Sequence, residues 1–375
     1  MNKAKKLFLF VAFFMLNLAV QAQKIELSPQ AEISILTCGT SNELHSLFGH
    51  TGIRIKDKSK HIDWVYNFGA FDFRAPNFYG KFLKGDLLYF IGKDDFNSFL
   101  FNYQAENRSV WEQPLQITQQ QKQAIFDELT STYGTEKALY TYKFIDKNCT
   151  TLAVNLIANN TGIDFNLQLP DAENLSNREI LNTYLKNDYL VGMGINLLFG
   201  IKTDQTFNHI FLPEQFLTSI ASTTINNKKI SDETILHFEA TPTNHSQLIV
   251  ILAITGICII IGLLSYNKSV ALLTYALVGL LSLFLFGMQL YSFHSEVHFN
   301  YNLLLINPLF LVAGYLLATN QLKKYKALLQ VLLVCLVLYV IMVVYNGYLF
   351  MVFPVTLAVF ITLLIQIQLH KKIQP

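Results

Sequence analysis

The sequence predicts an α+β exported domain followed by an all-α transmembrane domain. Three observations support this division. The chain begins with a short basic and apolar segment, continues through a mixed segment with charges, glycines and many aromatics, and ends in a long segment dominated by Leu, Ile, Val and Phe. That last segment explains why 52% of the residues are hydrophobic. The net charge of only +2 argues against a nucleic-acid partner, because phosphate recognition requires a basic surface.

The first 22 residues are predicted to form a secretory signal peptide. A basic start precedes an apolar run at 7–20, and a small-residue cleavage site ends at Ala22. The run is too short for a convincing membrane span. We therefore expect residues 23–245 to form a periplasmic domain with a core at about 31–165, a length that suits one globular domain.

Residues 246–375 are predicted to form a transmembrane domain of five helices. Each of five apolar runs approaches the ~20 residues that cross ~30 Å of hydrocarbon. The runs are 247–265, 270–291, 303–319, 327–345 and 349–369. If the preceding domain is outside, every lysine in the connecting loops is inside, as the positive-inside rule requires. We therefore expect a multi-pass protein of the bacterial inner membrane. Asn307 and Pro308 predict an interrupted helix end in the third run.

His50 begins a predicted β-strand. Residues 50–56 alternate in polarity with the period of two that is typical of a half-buried strand. A turn at 57–60 and a return strand at 61–68 complete a hairpin. If the turn is centred in that segment, the antiparallel register places Asn67 opposite His50.

An amide beside a catalytic histidine fixes the tautomer and the orientation of the ring. Asn67 is therefore the first candidate for this orienting role. Asp72, in the aromatic segment that follows, is the second candidate, and His61 and Asp63 are further choices.

Cys149 is predicted to begin a helix that ends at Gly162. Asn148 is a suitable N-cap, and glycine is a common C-terminal stop. The positive end of a helix stabilises a thiolate, so the thiol pKa should fall. A thiolate with His50 as its general base is the arrangement that nucleophilic cysteine catalysis needs, and the Cys149 N–H would contribute to the oxyanion hole. The alternative is that Cys149 is a buried structural cysteine.

Four cysteines are present in the chain. Cys258 and Cys335 lie in apolar runs, where a free thiol is an ordinary small hydrophobe. Cys38 and Cys149 are the pair to consider for a disulfide in an oxidising compartment. A bridge would remove the nucleophile, and the residues around Cys149 favour a free thiolate.

The longest predicted outer loop of the membrane region, residues 292–302, is rich in histidine, asparagine and aromatic residues. One interpretation is an interfacial aromatic belt with polar fillers. The other is a polar surface that faces the exported domain and contacts a lipid head group or substrate through His294, His298 and Asn300. Arg54, in the strand that begins at His50, is a further candidate for substrate binding. Three possible metal ligands in one short loop are weak evidence, so no metal or other cofactor is predicted.

Taken together, several motifs resemble the Bacteroides-type lipoprotein N-acyltransferases, the Lnb family. They are FGHTGIRI at 48–55, VYNFGAFDF at 65–73, PNFYGKFLKGDL at 76–87, DKNCTT at 146–151 and HFNYNLLLINPL at 298–309. The resemblance implies a permuted papain-like fold, similar to the lecithin–retinol acyltransferase group, in which the catalytic histidine precedes the cysteine. It also implies that His50 and Cys149 are the catalytic pair.

The reaction that the resemblance implies has two steps. Cys149 takes an acyl chain from a membrane phospholipid as a thioester and passes it to the α-amine of a diacylglyceryl-cysteine lipoprotein. The expected partners are therefore a phospholipid donor, a diacylated lipoprotein acceptor and the membrane. Two other functions stay open at this point: a cysteine amidase or peptidase acting on cell-wall peptide, and a non-catalytic membrane receptor or assembly factor.

Overall fold

A computed structural model describes residues 25–41, 43, 46–165, 175–206, 208–241 and 246–371. The predicted signal peptide lies outside the described residues. Within them, a mixed α+β region is followed by a helical region. The order of the two regions is the one that the composition predicts.

Seven strands among the described residues form one antiparallel sheet, in the order β6-β4-β3-β2-β1-β5-β9. The strands are β1 (Glu32–Cys38), β2 (His50–Asp57), β3 (Ile62–Ala70), β4 (Leu88–Asp95), β5 (Val110–Pro114), β6 (Tyr140–Thr141) and β9 (Ile235–Phe238), with β7 (Thr224–Ile225) and β8 (Lys228–Lys229) forming a separate hairpin. β2, which begins at His50, occupies the middle of the sheet.

Helices cover both faces of this sheet. In the α+β region they are α1 (Phe78–Lys84), α2 (Phe96–Ala105), α3 (Gln119–Thr132), α4 (Cys149–Thr161), α5 (Asn177–Leu185), α6 (Tyr189–Leu198) and α7 (Pro213–Ser222). α3 and α4 pack with Ile33 and Ile35 on one face, whereas α2 packs with Leu36 and Cys38 on the other. Successive residues of a strand point to opposite faces, so β1 contributes side chains to the hydrophobic cores on both faces of the sheet.

The β2–β3 hairpin differs from its predicted register by two positions. A 3-10 turn, Lys58–Lys60, joins the strands, and His61 closes it in a left-handed conformation. This loop moves the centre of the hairpin, so Asn67 pairs with Gly52 and the prediction that it lies opposite His50 is wrong. A shift of two preserves the face to which each side chain points. Asn67 and His50 therefore remain diagonal neighbours, within reach of polar side chains.

The helical region contains α8 (Leu248–Leu264), α9 (Lys268–Tyr291), α10 (Leu309–Ala318), α11 (Leu322–Tyr345) and α12 (Leu349–Leu369). Four described segments are long and apolar enough to cross a membrane, namely Lys268–Tyr291, Ser295–Ala318, Leu322–Tyr345 and Leu349–Leu369. α8, at 17 residues, is shorter. The predicted interruption of the third span is confirmed, because α10 starts only after Pro308 and a separate 3-10 turn, Tyr301–Leu304, precedes it.

Arg178 links the helices that follow α4 to the membrane region. Its side chain is almost fully buried and pairs with Asp204 at 2.6 Å. The guanidinium also lies 4.2 Å from the ring centroid of Tyr348, which comes just before α12. Asn302 donates to the carbonyl oxygen of Asn196 in α6 at 2.9 Å. These buried polar contacts fix the α+β region on the membrane helices.

A second charged network lies inside the sheet and joins four of its strands. Arg54 on β2 donates to Asp63 on β3 at 2.7 and 2.8 Å and to Glu112 on β5 at 2.8 Å. Glu112 also contacts His237 on β9 at 2.5 Å. The guanidinium stacks on Phe96, 3.3 Å from the ring centroid. Every polar edge of Arg54 is therefore occupied within the protein.

Replacing Arg54 should destabilise the sheet. Arg54→Met keeps the apolar stem but leaves Asp63 and Glu112 without their cation, at a cost of roughly 3–5 kcal/mol in the free energy of unfolding. Lys56→Met is the matched control, because Lys56 pairs with the exposed Glu32 and should cost about 1 kcal/mol or less. Both tryptophans, Trp64 and Trp111, lie in the sheet. Denaturation of the full chain in detergent, followed by tryptophan fluorescence, measures the difference, and equal effects of the two variants would contradict it.

Candidate active site

The start of α4 places Cys149 in the first helical turn, as predicted. The Asn148 side-chain oxygen accepts the N–H groups of Thr150 and Thr151, each at 2.9 Å. The Thr151 hydroxyl accepts the Asn148 N–H at 2.8 Å, which completes a capping box. The Asn148 side-chain nitrogen, Nδ2, donates to the carbonyl oxygens of Phe144 and Phe211. Cys149 is thus held at the positive end of a well-capped helix.

His50 is oriented by Asn67, and Asn67 in turn by Asp94. Asn67 Nδ2 lies 3.1 Å from a carboxylate oxygen of Asp94, which only accepts hydrogen bonds. The amide oxygen therefore faces His50, 3.1 Å from its Nε2. Nε2 must then carry the hydrogen, which leaves Nδ1 as the ring nitrogen available to Cys149.

The charge of His50 acts on the Cys149 thiol. Burial raises the pKa of this thiol, but the charge of His50 and the hydrogen bonds from His50, the Thr51 N–H and Thr150 lower it by more, so the pKa falls below its ordinary value. Thr51 and Thr150 also bond to each other through their hydroxyls at 3.0 Å, which ties β2 to α4. The arrangement favours a thiolate beside an imidazole.

Cys38 lies on β1 opposite His50 in the sheet register. Cys38 and Cys149 are both free thiols, so the structure does not contain the bridge considered from the sequence. Burial raises the pKa of Cys38 to about 12. The pKa shifts of the two thiols therefore have opposite signs, because Cys149 lies at a helix start near a histidine and Cys38 lies inside the sheet core.

The alternative orienting residue, Asp72, is engaged elsewhere. Its carboxylate accepts hydrogen bonds from the backbone and side chain of Arg74. The contact to His50 comes from Asn67, as described above. The predicted substrate contact of Arg54 is not supported either, because that side chain is 5% exposed and committed to its two carboxylates.

The three loop residues predicted to bind substrate each make hydrogen bonds within the protein. His294 Nε2 contacts the carbonyl oxygen of Phe82 at 2.9 Å, and His298 Nε2 contacts that of Ser292 at 2.8 Å. Asn300 is buried and donates to the carbonyl oxygens of Leu197 and Leu198, both at 2.9 Å. In this structure the outer loop is a docking surface for the α+β region.

Sequence reasoning missed Asp94 and the aromatic wall of the site. Asp94 lies on β4, and only the strand order brings it next to Asn67. Tyr89, on the same strand, packs against Tyr142 with ring centroids 5.0 Å apart, and Tyr142 and Cys149 pack against the same hydrophobic core. The aromatic composition of these segments was a visible signal, but it did not distinguish a site wall from ordinary core packing.

The lowered pKa predicts the alkylation behaviour of Cys149. Its reaction with iodoacetamide should show a midpoint in pH below the ~8.5 of a free cysteine, because only the thiolate reacts. His50→Ala removes the strongest stabilising charge, so the midpoint should move upward. Asp72→Ala is the control and should leave the midpoint unchanged. Peptide mass spectrometry separates Cys149 from the unreactive Cys38, and equal midpoints in wild type and His50→Ala would refute the pairing.

Comparison with protein families identifies both parts of the chain. Residues 22–182 match the Lnb N-terminal periplasmic domain, and residues 232–373 match the Lnb transmembrane domain. Comparison with curated proteins and with solved structures gave no match. The two matched domains indicate a membrane-anchored protein with a periplasmic N-terminal region, and they suggest an enzyme that modifies lipoproteins. The chain belongs to the Lnb family.

Proposed function

We propose that this chain is a lipoprotein N-acyltransferase. It moves an acyl chain from a phospholipid to the N-terminal amine of a diacylglyceryl-cysteine lipoprotein, through a thioester on Cys149. The observation that carries the proposal is the 3.0 Å contact between Thr51 and Thr150, which brings the start of β2, with His50, against the start of α4, with Cys149. The chain also has four described segments that are long and apolar enough to cross a membrane. Both substrates are lipids or lipid-anchored, so their common site must be held at the membrane.

In the first step, Cys149 attacks the ester carbonyl carbon of the phospholipid as a thiolate, and His50 holds the thiol proton. The Cys149 N–H, at the first position of α4, stabilises the tetrahedral oxyanion. The carbon–oxygen ester bond then breaks, and His50 returns the proton to the departing lysophospholipid oxygen. Asn67, backed by Asp94, keeps Nδ1 of His50 aimed at the sulfur throughout.

In the second step, the lipoprotein amine attacks the thioester carbonyl carbon. The new carbon–nitrogen bond forms as the carbon–sulfur bond breaks. The proton that the nitrogen loses passes to His50, and the thiolate of Cys149 is restored. Nucleophilic catalysis of this kind divides one difficult transfer into two easier ones.

An exposed aromatic surface beside the membrane helices supports a lipid donor. Phe73 and Tyr79 are 68% and 77% exposed. α1, which contains Tyr79, is bound to the outer loop through the Ser292 hydroxyl, which donates to the Leu83 carbonyl oxygen at 2.8 Å. Exposed aromatic side chains next to a membrane span are suited to contact lipid.

The proposal also includes the fold of the α+β region, the domain boundaries and the number of membrane spans. Membership of the Lnb family implies a permuted papain-like domain. The arrangement agrees with this, because the helix bearing Cys149 packs on the strand that begins at His50 and follows it in sequence. The periplasmic domain extends over 23–245 after removal of the signal peptide, and five helices of 246–375 span the inner membrane, the first of them being the 17-residue α8.

Substitution of the thiol tests the proposal in cells. Cys149→Ala should abolish N-acylation in a strain without a redundant enzyme, leaving lipoproteins with free diacylglyceryl-cysteine amines. Cys38→Ala, the matched loss of a nearby but buried thiol, should retain it. His50→Ala should reduce the transfer rate by about 10²–10⁴-fold, the usual contribution of general acid–base catalysis. Mass spectrometry of lipoprotein N-termini gives the measurement.

The same strains separate the other functions. Unchanged triacylation in Cys149→Ala would refute the acyltransferase proposal. Loss of cell-wall peptide cleavage, with lipoproteins unaffected, would instead identify an amidase or peptidase. Full function without the thiol would identify a non-catalytic receptor or assembly factor.

A further inference from the structure

Helix α1 buries none of its seven residues, although most of them are apolar. Its apolar residues share one face, because they follow the i, i+4 spacing of a helix: Phe78, Tyr79, Phe82 and Leu83. Lys81 and Lys84 lie on the opposite face. A helix with this division normally packs its apolar face on a protein core, but here Tyr79, Phe82 and Leu83 are exposed. Among the described residues, nothing covers this face.

The turn before α1 adds rings to the same surface. The ring centroid of the exposed Phe73 lies 5.0 Å from that of Phe78 and 4.8 Å from that of Phe71. Phe78 in turn lies 5.3 Å from Tyr79. Because the rings pack against one another, they hold a fixed surface without a partner. We call residues 71–84 the aromatic platform.

The end of the aromatic platform is bound to the end of a membrane span. The Ser292 hydroxyl, one residue past α9, donates to the Leu83 carbonyl oxygen at 2.8 Å. The Phe293 N–H donates to the Lys84 carbonyl oxygen at 2.6 Å. The contact of His294 with α1, described above, is a third. These carbonyl groups lie in the last turn of α1, where no partner exists within the helix. The aromatic platform therefore lies at the level where α9 ends.

The end of α9 continues the exposed surface. Leu290, Tyr291 and Phe293 are all exposed. Lys84 Nζ lies 5.1 Å from the ring centroid of Phe293 and 5.8 Å from that of Tyr291. Aromatic rings interspersed with lysines are typical of the layer where a membrane meets water, because rings and lysine stems contact lipid while ammonium groups stay hydrated.

We infer that the aromatic platform lies in the interfacial layer of the periplasmic leaflet and forms a second membrane contact beside the spans. Its apolar face contacts the upper parts of the acyl chains, and its lysines lie among the head groups. The partner is the bilayer, because the surface is continuous with the end of α9.

The position of the aromatic platform links this contact to the candidate site. It directly follows β3, whose Asn67 lies 3.1 Å from His50. Cys149 is half-buried rather than fully enclosed. The contact therefore holds the site against the leaflet, so that a phospholipid reaches it without crossing water. This consequence rests on the proposed function, whereas the membrane contact itself does not.

A fluorescence experiment tests the membrane contact. Tyr79→Trp is prepared in the full-length chain, in bilayer discs that hold one copy each, with phospholipids brominated near the head group. The introduced tryptophan should lose most of its emission, after subtraction of the unsubstituted chain with its native Trp64 and Trp111. Phe101→Trp is the matched control. Phe101 is as exposed as Phe73, at 68%, but no hydrogen bond among the described residues ties α2 to the membrane region. Its tryptophan should keep most of its emission.

A kinetic experiment tests the link to the site. The double variant Phe73→Ser, Tyr79→Ser should form acyl-enzyme from bilayer phospholipid about tenfold more slowly or worse, because the site is no longer positioned against the lipid. With a water-soluble short-chain ester, which needs no bilayer contact, the rate should be nearly that of the wild type. Phe101→Ser should match the wild type with both donors.

The possible results lead to different conclusions. Weak quenching in Tyr79→Trp, or quenching no stronger than in Phe101→Trp, would overturn the membrane contact and would fit a surface that faces water or a second copy of the chain. Equal slowing of the double variant with both donors would show a structural role and overturn the link to the donor step. Failure of the wild type to form acyl-enzyme from either donor would overturn the proposed function, while the quenching result would still decide the membrane contact.

Discussion

The Asn148 side chain makes the local interactions on which the site depends. Its oxygen caps α4, and its amide nitrogen binds the carbonyl oxygens of Phe144 and Phe211. One buried amide therefore joins the segment before the helix, the helix itself and the segment before α7. Together with the Thr51–Thr150 hydroxyl contact between β2 and α4, these bonds position Cys149 relative to β2 before any substrate arrives. That preorganisation is what an electrostatically stabilised thiolate requires.

The membrane region is more than an anchor for this site. Its outer loop binds α1 through Ser292 and His294, α6 through Asn300, and the segment before Cys149 through Glu296. The polar loop residues that the sequence suggested as a substrate-binding surface mostly form hydrogen bonds with backbone groups of the α+β region. These contacts hold the segment before Cys149 against the helical region. Of these loop residues, Glu296 alone leaves a buried oxygen unbound among the described residues.

The sequence was informative where structure is determined locally. Asn148, Cys149 and Gly162 predicted both ends of α4, and the alternation after His50 predicted β2. The register of the hairpin was missed by two positions because a 3-10 turn and a left-handed His61 are not visible in an alternation pattern. Asn67 nevertheless lies on the predicted face of the sheet, because a shift of two residues preserves the face to which each side chain points.

Contacts between residues far apart in the chain could not be predicted from the sequence. Asp94 reaches Asn67 only because β4 lies next to β3 in the sheet, and Glu296 reaches Ile145 across 151 residues of chain. The partners of Arg54 were missed for the same reason: Asp63 and Glu112 surround it only after the strands pair. When its partners are not known, an arginine near a predicted catalytic histidine is easily interpreted as a substrate ligand.

Whether Cys149 carries the acyl chain is tested most directly by intact and peptide mass spectrometry of the purified chain. The protein is incubated with a phospholipid bearing isotopically labelled acyl chains, in the absence of acceptor. We expect one labelled acyl group on the peptide that contains Cys149, released by neutral hydroxylamine as a thioester should be. Active protein with no label on Cys149, or with label that hydroxylamine does not release, would contradict the mechanism.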